Sequence, residues 1–186
     1  MEQNRNSKVS FEAGLVAGAA AQVGRRLANH YKVECFDCEG RLKWVDEFDN
    51  LVVTEGLNDS LDKHLKGSAY TAAWYVGLTE ATPTFAAGDV MSSHAGWTED
   101  QTYSEAVRQT LTLGSVAAGS VSNSANKAVF SINGSTTIGG AFVVTNSTKG
   151  GTTGVLYGGG AFTGGNRAVI NGDTLNVTVT CTATAA

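Results

Sequence analysis

From Thr174 to Cys181 the chain alternates without a break. Leu175, Val177, Val179 and Cys181 fall on one side, and Thr174, Asn176, Thr178 and Thr180 on the other. A period of two marks a strand with one buried and one wet face, because successive side chains leave the backbone in opposite directions. Such a strand cannot hide its apolar face alone; it requires neighbouring strands and a second layer. The rest of the chain supplies candidates. Short runs at residues 31–36, 41–45, 51–53, 72–78, 106–113, 127–132, 140–145, 154–157 and 167–170 are separated by Gly, Asn, Ser and Thr turns, the punctuation of short strands. The expected fold is mainly β, a β-sandwich or jelly-roll-like domain with one short amphipathic helix and a partly helical N-terminal arm. The turns are unevenly spaced and no internal repeat is found.

Charge and glycine divide the chain. Residues 1–66 hold 20 charged residues and 5 glycines, whereas residues 67–186 hold 10 and 18. The expected organisation is an arm over residues 1–30 and a sandwich domain over residues 31–186. Within the latter, residues 31–66 form a hairpin and a helix, and residues 67–186 form Gly/Thr-rich sheets. In the arm, Ser10 can cap a helix, but Gly14, Gly18 and Gly24 each weaken it by about 1 kcal/mol relative to Ala. Gly14 and Gly18 share a face that a partner backbone could approach. A segment of this kind orders against a neighbouring subunit, so Phe11, Gly14, Leu15, Gly18 and the Arg25-Arg26 pair are candidate interface residues. A solvated helix end is the simpler explanation of the arginine pair. Leu57, Leu61 and Leu65 repeat every four residues as the apolar stripe of a helix, and Gly67 is its natural C-cap.

Little points to chemistry. The net charge is −4 and no basic run occurs, which argues against a nucleic-acid partner. Cys35 and Cys38 form one C-x-x-C pair with no second pair to complete a zinc site; with Cys181 they read as structural thiols. His30 and His64 are expected at helix C-termini, where a cation is favoured, and no His-x-x-x-His spacing exists. Asp89, Glu99, Asp100 and Glu105 flank a Ser/Thr-rich loop and read as solvated acids rather than a catalytic pair. The glycines at 158–160 and 164–165 read as mobile turns, not phosphate cradles. The expectation is a protein that is not an enzyme, with no cofactor and no metal. No apolar run approaches the roughly 20 residues that span a bilayer, so no membrane partner is expected. Trp74, Tyr75, Phe85, Trp97 and Tyr103 bracket one region. They read most simply as core aromatics under a long loop. A sugar-binding face is a second reading, and an exposed Trp97 or Tyr103 anchoring an interface is a third.

Several segments form a distinctive series: Asn50-Leu51-Val52-Val53-Thr54-Glu55-Gly56-Leu57-Asn58, Ala72-Ala73-Trp74-Tyr75-Val76-Gly77-Leu78-Thr79, and Ser93-His94-Ala95-Gly96-Trp97-Thr98-Glu99 with Tyr103 and Arg108. Further along come Val121-Ser122-Asn123-Ser124-Ala125, Phe130-Ser131-Ile132, Ile138-Gly139-Gly140-Ala141-Phe142 and Asn171-Gly172-Asp173-Thr174-Leu175. Together they resemble a group of tailed-bacteriophage structural proteins. The likeness covers roughly residues 31–181 and leaves the arm outside. It implies a virion component made in a host bacterial cytoplasm, with other virion proteins (the major capsid protein, or tail and portal proteins) as partners and self-association likewise expected. Three roles follow as expectations: a capsid decoration or cement protein, a tail adaptor, baseplate or fibre-attachment component, or a carbohydrate-binding receptor module.

Overall fold

The computed structural model describes residues 25–70 and 73–185. Among the described residues, twelve strands form two antiparallel sheets. In chain order they are β1 (Arg25–Phe36), β2 (Leu42–Asp49), β3 (Leu51–Val52), β4 (Tyr75–Glu80), β5 (Glu99–Asp100), β6 (Gln109–Thr110), β7 (Ser120–Ser122), β8 (Ala128–Ser131), β9 (Thr136–Val144), β10 (Leu156–Ala161), β11 (Arg167–Val169) and β12 (Thr174–Ala185). One helix, α1 (Thr54–Leu61), runs into a single wider π-turn, Asp62–Lys66. The first sheet is ordered β2-β1-β12, with β7 and β8 both on the far side of β12; the second is ordered β3-β10-β9-β4-β5, with β11 also pairing with β9 and β6 also pairing with β4.

The alternating segment is the centre of the first sheet. β12 pairs along its whole length with β1, Arg25 opposite Ala185 and Phe36 opposite Thr174. Its apolar face meets the second sheet in one core: Tyr31, Val33, Cys35, Leu175, Val177 and Val179 from one side, Val76, Leu78, Ile138, Ala141, Val143 and Val169 from the other. The result is sandwich-like. The second sheet is also covered on its outer face, where Val53, Met91, Trp97, Phe142, Val144 and Leu156 form a second core beneath the loop that follows β4. Burial on both faces explains why β4 and β9 read as continuous apolar runs instead of alternating.

Several expectations change. Residues 25–30, assigned to the arm, belong to β1, and His30 lies in that strand, not at a helix end. Its ring nitrogen sits 3.0 Å from an Asp49 carboxylate oxygen on the neighbouring strand. The expected strand over 106–113 shrinks to Gln109–Thr110. Gly158, Gly159 and Gly160 are not turns: they lie inside β10, paired with Val143, Phe142 and Ala141. Here the missing side chains are the point. A Cβ on Gly159 would overlap the Phe85 ring, and one on Gly158 would overlap the Leu51 carbonyl.

The helix and its C-cap are where expected, with Gly67 left-handed at φ 77°. Its orientation is not that of an ordinary amphipathic helix. The side turned to the sheet is Gly56, whose Cα rests on the Tyr157 backbone with no room for a Cβ. Glu55 accepts from the Leu156 amide at 2.7 Å. The leucine stripe therefore faces outward: Leu57, Leu61 and Leu65 are 40%, 57% and 81% exposed.

Candidate functional site

The aromatic cluster sits in the second core. The Trp97 ring stacks on His94 at 3.7 Å and on Phe85 at 4.9 Å between ring centres, and tilts against Phe142 at 4.8 Å. Its indole N–H donates to an Asp89 carboxylate oxygen at 3.1 Å. Only 6% of Trp97 is exposed, so it is a core residue and not an exposed interface anchor or sugar platform. Glycines set this up: Gly77 and Gly159 leave hollows in the sheet that admit the Phe142 and Phe85 rings, and the indole closes over them. Tyr103 is likewise buried, edge-on to Phe130 at 5.0 Å, with the Lys149 ammonium 4.1 Å above its ring. The candidate interface roles of Trp97 and Tyr103 thus have no exposed ring to act through.

Three of the four loop acids are not solvated, and Glu105 is half-buried. Glu99, Asp100 and Asp89 are buried, and each accepts from loop groups. Arg108 donates through Nε and Nη2 to the two oxygens of Glu99 at 2.9 and 2.7 Å, and Glu99 also takes the Gly150 amide at 2.9 Å. The same guanidinium donates to the carbonyls of Asn146 at 2.9 Å and Gly151 at 2.7 Å. Asp100 accepts from the Thr102 amide and the Thr136 hydroxyl, both at 2.9 Å. Asp89 accepts from the Ala86 amide at 3.0 Å, and Glu105 from the Ser131 amide. On the opposite side, Asp46 takes the amides of Thr163 and Gly164 together with the Arg167 guanidinium. Buried carboxylates persist only when paired and hydrogen-bonded; Glu99 of β5 and Asp46 of β2 each take loop backbone amides, so each staples a loop to a sheet.

A cleft of about 150 Å³ opens beside this cluster, lined by Met91, His94, Thr98, Gln101, Gly150 and Thr152 among others. His94 Nδ1 lies 3.0 Å from the Trp97 carbonyl oxygen, so Nδ1 carries a proton and donates it to that carbonyl. The cleft is smaller than the roughly 300–1,000 Å³ usual for ligand pockets. The acid in its wall, Glu99, is already held by Arg108, so no free acid faces a free base. Burial pushes the Cys35 thiol up to about 12, while Cys38 is exposed. Among the described residues no three His, Cys, Asp or Glu side chains converge as a metal would need, and no helix is long and apolar enough to cross a membrane.

Of the candidate interface residues in the N-terminal region, Arg25 opens β1 and Arg26 is exposed on it; Phe11, Gly14, Leu15 and Gly18 lie outside the described residues. β1 pairs with β2 only from His30 to Phe36, so residues 25–29 run past the end of β2 into the N-terminal segment. The residue that sequence reasoning left without a role is Arg108. A signal existed: residues 67–186 carry just four basic residues, Arg108, Lys127, Lys149 and Arg167, and each holds an acid or a carbonyl.

No protein-family model matches the chain, and no curated protein matches it.

Proposed function

We propose that the chain is a structural component of a tailed-bacteriophage particle, of the capsid decoration or cement type, that docks on neighbouring virion subunits through its N-terminal segment and the sheet edge it leaves from. The observation that carries this reading is the β1 overhang. A 12-residue strand welded to β12 projects beyond β2 and leads directly into residues 1–24, so an arm anchored there starts from a rigid base beside a strand edge. Open edges recruit strands from other chains. The stapled loops support the same reading, since buried acids that tie down backbone make a stiff block suited to repeated contacts. The segment-by-segment likeness to phage structural proteins supplies the particle.

The reading is tested on purified particles. A decoration protein is present in on the order of hundreds of copies, as the many equivalent sites of a closed lattice require, and a chain lacking residues 1–24 keeps its sheet signal in circular dichroism but no longer adds to particles stripped of it. A copy number set by one small ring moves the protein to the tail. Absence from purified particles overturns the proposal.

A further inference from the structure

Helix α1 and the π-turn after it carry two faces, and the protein uses one of them. Gly56 and Glu55 hold the helix to β10. Leu57, Leu61 and Leu65 point away, with Asn58, Asp62 and Lys66 forming the other bank of a shallow groove beside Leu61 and Leu65. An ordinary surface helix turns its leucines to the core. Here a glycine takes the core side, and three leucines in a row stay in water. Contiguous exposed apolar surface of this kind marks a contact site.

The pattern of the stripe says what fits it. Leu61 stands midway between Leu57 and Leu65, so the stripe reads the same in both directions. The charges do not: Asp59 lies before Leu61 and Lys63 after it, each two residues away, while Asp62 and Lys66 pair with each other at 3.3 Å. Two such helices side by side and parallel place like charge on like. Antiparallel, they place Lys63 of one beside Asp59 of the other, bring Leu61 onto Leu61, and set each Leu57 against the opposing Leu65. A two-fold axis through Leu61 satisfies apolar surface and charge together, and two-fold pairing is the commonest self-association.

We infer that this stripe is a self-association surface, on which α1 and its π-turn pair antiparallel with the same element of a second copy. The inference does not rest on the virion reading; a particle protein and a free dimer would both use it. The helix pair alone is small beside a standard interface of about 800 Å² per partner, so association strengthens as local concentration rises.

Single cysteines introduced into the full chain, in a Cys38→Ser background, test both the contact and its direction. Under mild oxidation Leu61→Cys forms a disulfide dimer with itself. Leu57→Cys does so poorly, because its two copies stand about 12 Å apart at 1.5 Å rise per residue, beyond disulfide reach; mixed with Leu65→Cys it cross-links readily. Leu42→Cys, exposed on the β2 edge, is the control and stays monomeric. In sedimentation velocity the parent chain associates with rising concentration, and Leu61→Glu weakens that at least about tenfold with no change in thermal unfolding. Lys63→Glu weakens it less, and added salt weakens the parent. Equal self-cross-linking at all three leucine positions indicates a parallel pair and overturns the inference. So does a chain that is monomeric at every concentration, or one that dimerises only after residues 1–24 are removed, which would show the stripe covered by its own N-terminal segment.

Discussion

Arg108 and Glu99 meet as a buried, two-pronged ion pair, with Nε and Nη2 of the arginine 2.9 and 2.7 Å from the two carboxylate oxygens. The arginine is fully buried and the glutamate nearly so. Removing one partner strands the other's charge in the interior. Arg108→Ala is expected to cost about 3–5 kcal/mol of folding stability, measured by urea denaturation. The double change Arg108→Met with Glu99→Leu recovers only part of that loss, because the Asn146 and Gly151 carbonyls lose their donor and the Gly150 amide its acceptor. Full recovery would show that the loop contacts contribute nothing.

The hollow at Gly159 makes a second prediction. Gly159→Ala drives a methyl into the Phe85 ring, and overpacking of this kind costs about 1–3 kcal/mol. Phe85 stacks on Trp97, so the change also alters tryptophan fluorescence. Phe85→Leu in the same chain relieves part of the cost. A neutral Gly159→Ala would mean that the ring does not occupy the hollow.

Three free thiols in different settings give a third. Cys38 is exposed, Cys35 is buried and Cys181 is intermediate. Burial pushes Cys35 up to about 12 and Cys181 up to about 11, and only the thiolate reacts. Titration with a chromogenic disulfide at neutral pH should consume one thiol quickly, and mass spectrometry should place it on Cys38. Cys35 reacts only on unfolding. Rapid modification of Cys35 in the native protein would contradict its placement between the sheets.

The same burial sets the alkaline limit of stability. Cys35, Cys181, Tyr31 and Tyr103 are all raised, burial being the largest cause in each case; for Tyr31 it outweighs the opposing influence of the neighbouring Asn50 and Asn29 side chains. Above their ordinary values, about 9 for the thiols and about 10 for the phenols, the unfolded chain loses these protons while the folded chain keeps them. The unfolded state then binds fewer protons, so stability falls as pH rises. It is intact below about pH 8 and declines progressively above about pH 9, seen as a falling urea midpoint. Cys35→Ala combined with Cys181→Ala shifts the start of the decline toward the phenol range. A midpoint flat to pH 11 would refute the account.

On the acid side, Glu34 is held below its ordinary value, chiefly by the hydrogen bond from Lys127. A lowered carboxyl contributes stability above its unfolded value, and that contribution is lost as pH falls through the folded one. Lys127→Ala should therefore narrow the stability difference between pH 7 and pH 3. An unchanged difference would remove the Lys127 contact as its source.

The sequence by itself settles what local rules can settle. Period-two alternation from Thr174 onward makes β12, turn residues punctuate the strands around it, and Gly67 ends the helix, because each depends on backbone geometry within a few residues. Tertiary structure alone decides which way surfaces face. The spacing of Leu57, Leu61 and Leu65 says that they share a stripe, not that Gly56 takes the core side and turns the stripe outward. Nothing local distinguishes a glycine in a turn from Gly159 in a strand, where a ring from a distant loop needs the space. Glu99 and Arg108 look like isolated loop charges until the fold brings them together with the backbone of residues 146–151, since burial, which gives a charge its meaning, is a property of everything packed around it.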